Sequence, residues 1–580
     1  MIKIIHKPNE GGSALLLTLM LSAIALLILA NILYWSSSSA LLTHHAIQYN
    51  LSIAAGEAAT EKVVSQMTQD FLFGGDALVV NNLASYRTIV PSTADSPYWA
   101  GWQFDDGNGD IGQTYVPPSP GTSYVVLDST YAGLQGYVTT YTIASHANQT
   151  TAAVNVNAGV VQQLQLTQIP IFQFAMYSSG DMEISCGQPF AVTGRVHSNQ
   201  NLYVEPDNAL TFESGVTAVN SILFQRDPLD PRGLTPNGTV VYENPDEKIA
   251  PVPALTLPIG TTNTPEAIRE IIEPPPPGED PTSPIGQLRY YNECDMIITV
   301  TDTGVSAISG VEVNSAQTQT QISSNDVSIF VSTNNSFWDA RESKTVESID
   351  IDVGQLTTWS LTNQLGNLSI GKNFSSVYVW DQRTLPANEL SGVRVRDGLQ
   401  LPPNGLTVAT GSPLYVLGDY NQTNAANLGT SNTTTSLPAS FAADAVTILS
   451  DSWTDANSTS PVGNRIASPT TVNAALLTGA VDTTTAAYSG GMENFPRFLE
   501  TWGSTIFTYN GSMVKMFPSL YATSAWNNNN NIYEPPARNW AYDLNFDDPT
   551  KLPPKTPSLL KAIRSSWTTV PAGVNVASSP

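Results

Sequence analysis

Charge is scarce in this chain of 580 residues: 13% are Asp, Glu, Lys or Arg, against about 25% in an ordinary soluble domain. Basic charge is scarcer still, with 24 Lys+Arg against 49 Asp+Glu and a net charge of −25. A chain so short of cations has no basic stripe for a phosphate backbone, which excludes nucleic acid as a partner. Cysteine is nearly absent. Cys186 and Cys294 are too few for a disulfide scaffold or a Cys-rich zinc site. They form either one disulfide or two unpaired thiols, since spacing along the chain does not fix their separation in space. Of the five histidines, His6, His44 and His45 lie in the leader or stalk, and His146 and His197 stand alone in β-rich sequence. No HExxH, G-x-S-x-G or P-loop pattern occurs. The surface is therefore built from Ser, Thr, Asn and Gly. With 40 Gly, 40 Pro and 41% hydrophobic residues, the composition is turn-rich and too apolar for a disordered chain.

One long apolar run is present. Ala14 to Leu33 reads ALLLTLMLSAIALLILANIL without a charge. As a helix these residues span about 30 Å, the thickness of a bilayer core. Lys3 and Lys7 precede the run and no comparable basic group follows before Lys62. The positive-inside rule then puts the amino terminus in the cytoplasm and the bulk outside, periplasmic or extracellular, on a single inner-membrane span. A cleaved signal peptide would have a shorter apolar core followed at once by a small-x-small site. Here the helical pattern continues. Ile47, Leu51, Ala54, Ala55, Ala58, Val63 and Met67 recur at near-helical spacing, an amphipathic stalk with a small-residue face. Gly74 and Gly75 are its stop signals. The spacing predicts one rod over residues 13–73.

The short basic leader, Gly11-Gly12, the run from Ser13 and the Ala-Ala-Gly-Glu-Ala-Ala segment from Ala54 to Ala59 together resemble type IV pilin-like proteins. The resemblance is to the PilX kind of pilus assembly protein and to the large minor pseudopilins of type II secretion. It implies a leader over residues 1–12, cleavage by a prepilin peptidase between Gly12 and Ser13, and methylation of the new terminus. It implies other pilin-like subunits as partners through the amino-terminal helix. Major pilins carry Glu at the fifth mature position, where this chain has Leu17. Minor pseudopilins at a filament tip also lack that Glu, so the resemblance favours a tip or accessory role over a shaft subunit. A plain membrane tether is the alternative.

The remainder reads as mainly β. Residues 76–165 alternate with period two around Tyr137–Ile143 and form a small β domain. From Ile169, short strands around Ala175–Tyr177, Met182–Ile184, Phe190–Val192, Leu202–Val204 and Leu210–Phe212 recur every eight to twelve residues. The rhythm returns at Val377, Val393, Leu406, Leu414 and Ala445. Strands this short at even spacing predict a right-handed parallel β-helix-like solenoid over residues 169–480. A β-sandwich is the alternative, favoured by Asn237-Gly238 and Asn510-Gly511 as hairpin turns. A Pro-rich insertion at 244–284 reads as a spacer, and the polar stretch 421–440 as a long exposed loop. Residues 490–580 are expected to cap the solenoid, with helices after Pro496 and over Pro557 to Trp567.

Chemistry is sparse. Asp106, Asn108 and Asp110, in DDGNGD, offer oxygens at alternate positions as Ca²⁺ requires, but Ile111 and the lack of a closing Glu depart from a calcium loop. A Gly-rich turn is the alternative reading. Ser512 and Lys515 match S-x-x-K only formally, in strand-like sequence. Asp350/Asp352 and Asp547/Asp548 are paired carboxylates that a β-helical glycosidase would need across a groove. No enzyme activity and no cofactor other than calcium is expected. The sequence points to a membrane-anchored accessory subunit, or alternatively to an anchored β-helical adhesin whose Asn/Thr-rich loops contact glycans.

Overall fold

The computed structural model describes residues 11–127, 131, 133–233, 235–309, 320–362, 374–526 and 532–571. It begins with a stem helix, Gly11–Arg87, broken where Gly74 and Gly75 leave helical backbone. Gly75 has φ +68°, a left-handed conformation that costs a glycine nothing. The stop expected there is thus a break, and a further helical segment follows it to Arg87.

The stem lies on an antiparallel head sheet made of Trp102–Asp105, Gln135–Gln149, Ala158–Pro170 and Ser558–Pro571, with Thr122–Val126 paired beside Gln135–Gln149. The last of these corrects the expected carboxy-terminal helix. Leu559, Ile563 and Trp567 are spaced like a helical face, yet Ser558 to Pro571 pairs antiparallel along the whole of Ala158–Pro170. Leu559 and Leu560 are buried and Trp567 is half-exposed. A strand with one free edge supplies ladder bonds that local periodicity does not register. The helix expected after Pro496 is also absent. One 3₁₀ turn, Met492–Asn494, leads into the short strand Arg497–Phe498.

Between the first four head strands and the last lies a mostly-β body. Strands recur and pair in parallel: Leu202–Val204 lies between Met182–Ile184 and Ile222–Leu223 with steps of about twenty residues, and Ala209–Phe212 lies between Phe190–Val192 and Thr239–Tyr242 with steps of about twenty and about thirty. The main sheet has twelve strands among the described residues, ordered from Lys248–Ile249 through Val216–Ala218, Val196–Ser198 and Met176–Ser178 to Met513–Pro518, Ala475–Ala480, Ala439–Ala443, Leu406–Thr410, Ser376–Asp381 and Met296–Thr301. Gly304–Ser309 and Thr320–Ile322 complete it. All pairings are parallel as far as Met296–Thr301, and the last two are antiparallel. The sheets stay open, so the chain is a long apolar helix followed by a mostly-β domain, without closure of the sheets into the expected solenoid. No hairpin forms at Asn510-Gly511. Ile506–Gly511 pairs in a different sheet from Met513–Pro518, so this turn rounds a corner between sheets.

The described residues of 490–580 reach into the centre of the body. Met513–Pro518 sits in the middle of the main sheet, joining Met176–Ser178 to Ala475–Ala480. The far edge is instead covered by the antiparallel strands and the helices Ser324–Phe330 and Val353–Thr362.

The Pro-rich segment is a strap and not a solvated spacer. Its backbone crosses the main sheet strand by strand. Val252 N donates to Ala218 O (3.0 Å) and Asn199 Nδ2 donates to Leu255 O (2.7 Å). Farther along, Arg269 pairs with Asp444 (2.6 Å) and Tyr378 Oη donates to Ile272 O (2.8 Å). The strap's own side chains Leu255, Leu257, Ile259, Ile268, Ile271 and Ile272 are buried. Beyond the strand Lys248–Ile249, prolines leave few N–H groups to satisfy where the chain crosses the sheet, and Pro265–Arg269 forms a short helix.

Candidate functional site

The stem changes character along its length. From Ser13 to Ile47 its large apolar side chains point outward: Leu15, Leu19, Leu27 and Leu33 are all more than half exposed. This is the helix long and apolar enough to cross a membrane, and none of its most apolar window is covered by the protein. Gly12 and Ser13 lie in its first turn, and Leu17 is 62% exposed. The expected leader, residues 1–12, falls almost wholly outside the described residues. The stem is thus a candidate membrane anchor or signal sequence.

Beyond Leu51 one face turns inward. Ser52, Ala55, Gly56, Ala59, Thr60, Val63, Val64, Met67 and Phe71 are buried. They follow three- and four-residue steps, which place side chains on one helix face. The seat is close because it is small. A Cβ on Gly56 would stand 2.9 Å from Ser145 O. Thr60 Oγ1 accepts from Gln162 Nε2 (3.0 Å), and Ser52 Oγ donates to Val156 O (2.7 Å). Higher up, Val63, Met67 and Phe71 share a core with Tyr141, Ile143, Leu164, Leu166 and Leu560. The sequence placed Ala55, Val63 and Met67 on the correct face, whereas Ala54 and Ile47 are exposed. After the break the helix folds back on itself: Tyr86 Oη donates to Asp70 Oδ2 (2.6 Å). Burial, then that carboxylate, pushes the Tyr86 hydroxyl pKa up. Gly260 N donates to Phe73 O (2.9 Å), which ties the strap to the stem at its break.

No protein-family model matches this sequence, and no curated protein matches it. The crystal structure of the competence-associated pilin ComZ from Thermus thermophilus aligns with 91% of this chain and 98% of its own, at 11% identity and a TM-score of 0.28. A superposition of that quality carries no inference from one chain to the other. The residues themselves carry the functional reading.

The other sequence candidates divide clearly. Asp106, Asn108 and Asp110 do meet in one loop, where Asp106 Oδ1 accepts from the backbone N–H groups of Asn108 (2.8 Å) and Asp110 (3.0 Å), and Oδ2 from Asn108 Nδ2 (3.0 Å). Both oxygens of Asp106 thus serve the turn. Among the described residues no group of three or more His, Cys, Asp or Glu is arranged to hold a metal ion. Cys186 and Cys294 are separate buried thiols, which corrects the disulfide alternative. Burial pushes the Cys186 thiol up to about 12. Ser512 Oγ donates to Phe174 O (2.5 Å) and Lys515 pairs with Asp482 (2.7 Å), so the S-x-x-K pair braces neighbouring segments. Asp350 is held by Arg394 (2.6 Å), and Asp547 accepts from Tyr542 Oη (3.0 Å). The expected exposed loop 421–440 is exposed over about half of its length and is tied down by side-chain hydrogen bonds: Asn421 Nδ2 donates to Leu437 O (2.6 Å) and Thr433 Oγ1 to Asp543 (2.7 Å).

A buried carboxylate cluster escaped sequence reading. Glu183 accepts from Thr483 Oγ1 (2.7 Å), and Glu493 accepts from Ser185 N (3.1 Å) and Tyr488 Oη (3.2 Å). These bonds latch the 483–493 segment onto the strands near 183. Glu205 is fully buried beside Arg232, whose own short partner is Asp230 (2.6 Å). Burial pushes Glu183 up to about 7, and burial with the nearby Glu183 pushes Glu205 up to about 9.

Proposed function

We propose that this protein is a membrane-anchored, pilin-like accessory subunit of a type IV pilus or of a type II secretion-like pseudopilus. The observation that carries the reading is the division of the stem. One half offers an unbroken apolar surface to lipid or to neighbouring helices, and the other half is seated by Ala, Gly, Ser and Thr on an antiparallel sheet. In a bilayer the first half stores the subunit by burying apolar surface. In a filament the same surface packs against the stems of other pilin-like subunits. Prepilin peptidase is the processing partner, acting between Gly12 and Ser13. Leu17 in place of an acid leaves no carboxylate to neutralise a neighbour's terminal amine, which suits a subunit that begins or caps an assembly. The short, recurrent parallel strands support a solenoid-like body carried outside the inner membrane, with the amino terminus cytoplasmic. Mass spectrometry of the membrane-extracted protein tests the reading. An amino-terminal peptide beginning at N-methylated Ser13 is expected. A mature chain that begins after the apolar run and is freely soluble would overturn it.

A further inference from the structure

The body holds a cavity of about 300 Å³ where the end of the strap meets the main sheet. Its walls are Glu273 and Pro274 from the strap, Trp380 from the strand Ser376–Asp381, the turn Thr410–Ser412, and Tyr521. Two aromatic rings are presented there on rigid supports. Trp380 is half-buried and braced edge-on by Tyr291, with centroids 5.6 Å apart at 87°. Tyr521 is 46% exposed, yet its backbone is fixed: the N–H groups of Leu520, Tyr521 and Ala522 all donate to the buried Asp444 carboxylate (2.6, 3.1 and 2.9 Å). An exposed ring on an immobilised backbone is a preorganised contact that loses little entropy on binding.

Glu273 contributes a carboxylate, with Oε1 oriented by Arg269 Nε (2.8 Å), and Ser412 contributes a hydroxyl, while the Thr410 hydroxyl is buried and accepts from Ser412 N (3.2 Å). Asp381 also lines the cavity, but Arg383 and Ser391 already engage both of its oxygens. No Lys, Arg or His is among the lining residues. Both carboxylates are paired with arginines just behind the wall, Glu273 with Arg269 and Asp381 with Arg383, so the wall is close to neutral and rich in hydrogen-bonding groups, which favours an uncharged ligand over a charged one. Its ligand must donate several O–H groups and offer an apolar C–H face to the rings. We infer that this cavity is a binding site for a neutral saccharide, with a pyranose ring lying against Trp380 and Tyr521 and its hydroxyls directed to Glu273 and Ser412. The site does not depend on the fate of the stem.

The test is calorimetric titration of the full-length protein, in a detergent without a sugar headgroup, with glucose, galactose, mannose, N-acetylglucosamine and their disaccharides. Glucuronate and choline serve as charged probes. Saturable binding of at least one neutral sugar is expected, weakened about 10-fold or more by Trp380→Ala and by Tyr521→Ala, and partly retained in Trp380→Phe. Tyr521→Ala is decisive because its exposed ring leaves the melting temperature unchanged. The inference is overturned if no neutral sugar binds, if Tyr521→Ala binds as the wild type does, or if glucuronate or choline binds more tightly than every neutral sugar.

Discussion

Asp444 does more than any other single side chain to hold the body together. Its carboxylate is fully buried, pairs with Arg269 of the strap, and accepts three backbone N–H groups from 520–522. Removing one partner of a buried pair leaves an uncompensated charge and unsatisfied donors. Asp444→Ala should therefore lower stability by about 3–5 kcal/mol, read by chemical denaturation, and should make the strap susceptible to limited proteolysis. The same logic gives a pH dependence to the carboxylate cluster. An unfolded glutamate ionises near 4.5, whereas Glu183 and Glu205 hold their protons in the fold to about 7 and about 9. Their stabilising contribution is complete below pH 4.5 and is lost as pH rises through those two values. Melting temperature should fall between about pH 5 and 9. Glu205→Gln should flatten the upper part of that decline and raise stability at pH 8 by about 1–3 kcal/mol. A steeper alkaline loss in this variant would contradict the assignment. Of these residues the sequence flagged none, because an isolated Glu or Asp in strand-like sequence reads as solvated until the fold buries it.

At the scale of elements, the seat of the stem is the part most open to test. Gly56 stands against the Ser145 carbonyl with no room for a side chain. Gly56→Leu should lift the stem from the sheet and cost about 2 kcal/mol or more through overpacking, whereas Ala54→Leu on the exposed side should change stability by less than about 0.5 kcal/mol. The last strand carries a second prediction. Truncation after Thr556 would strip Ala158–Pro170 of a partner along its whole length. The bare edge is expected to pair between molecules, seen as dimers or aggregates in size-exclusion chromatography. Element positions were legible where periodicity is local. Met182–Ile184, Phe190–Val192, Leu202–Val204 and Leu414–Leu417 stand where the spacing placed them. The strand over Ser558–Pro571 and the strap were not legible, because each exists only through a partner distant in sequence. Leu559, Ile563 and Trp567 satisfy a helix count and a strand pairing equally well, and only the free edge of Ala158–Pro170 decides between them.

Across the whole molecule, the chain leaves the head after Pro170, runs outward through strands 176–249, crosses to the other end of the sheet as the strap, and comes back through strands 296–518 before its last strand rejoins the head. Head and body are thereby interlocked, and the two thiols sit inside that interlocked core. Cys186 and Cys294 should resist thiol reagents in the native state and both react after denaturation; reaction of either in the folded protein would mean that the core around it opens. The apolar run Ala14–Leu33, the Gly12-Ser13 junction, the scarcity of charge and the spacing of short strands are properties of consecutive residues, and sequence alone determined the stem and the β character that follow from them. Which strands share a sheet, where the prolines lead the chain, whether two cysteines meet, and which carboxylates lose their water depend on residues brought together from remote positions. Those were decided only by tertiary structure, because burial and strand pairing are energies between segments and have no value until both segments are in place.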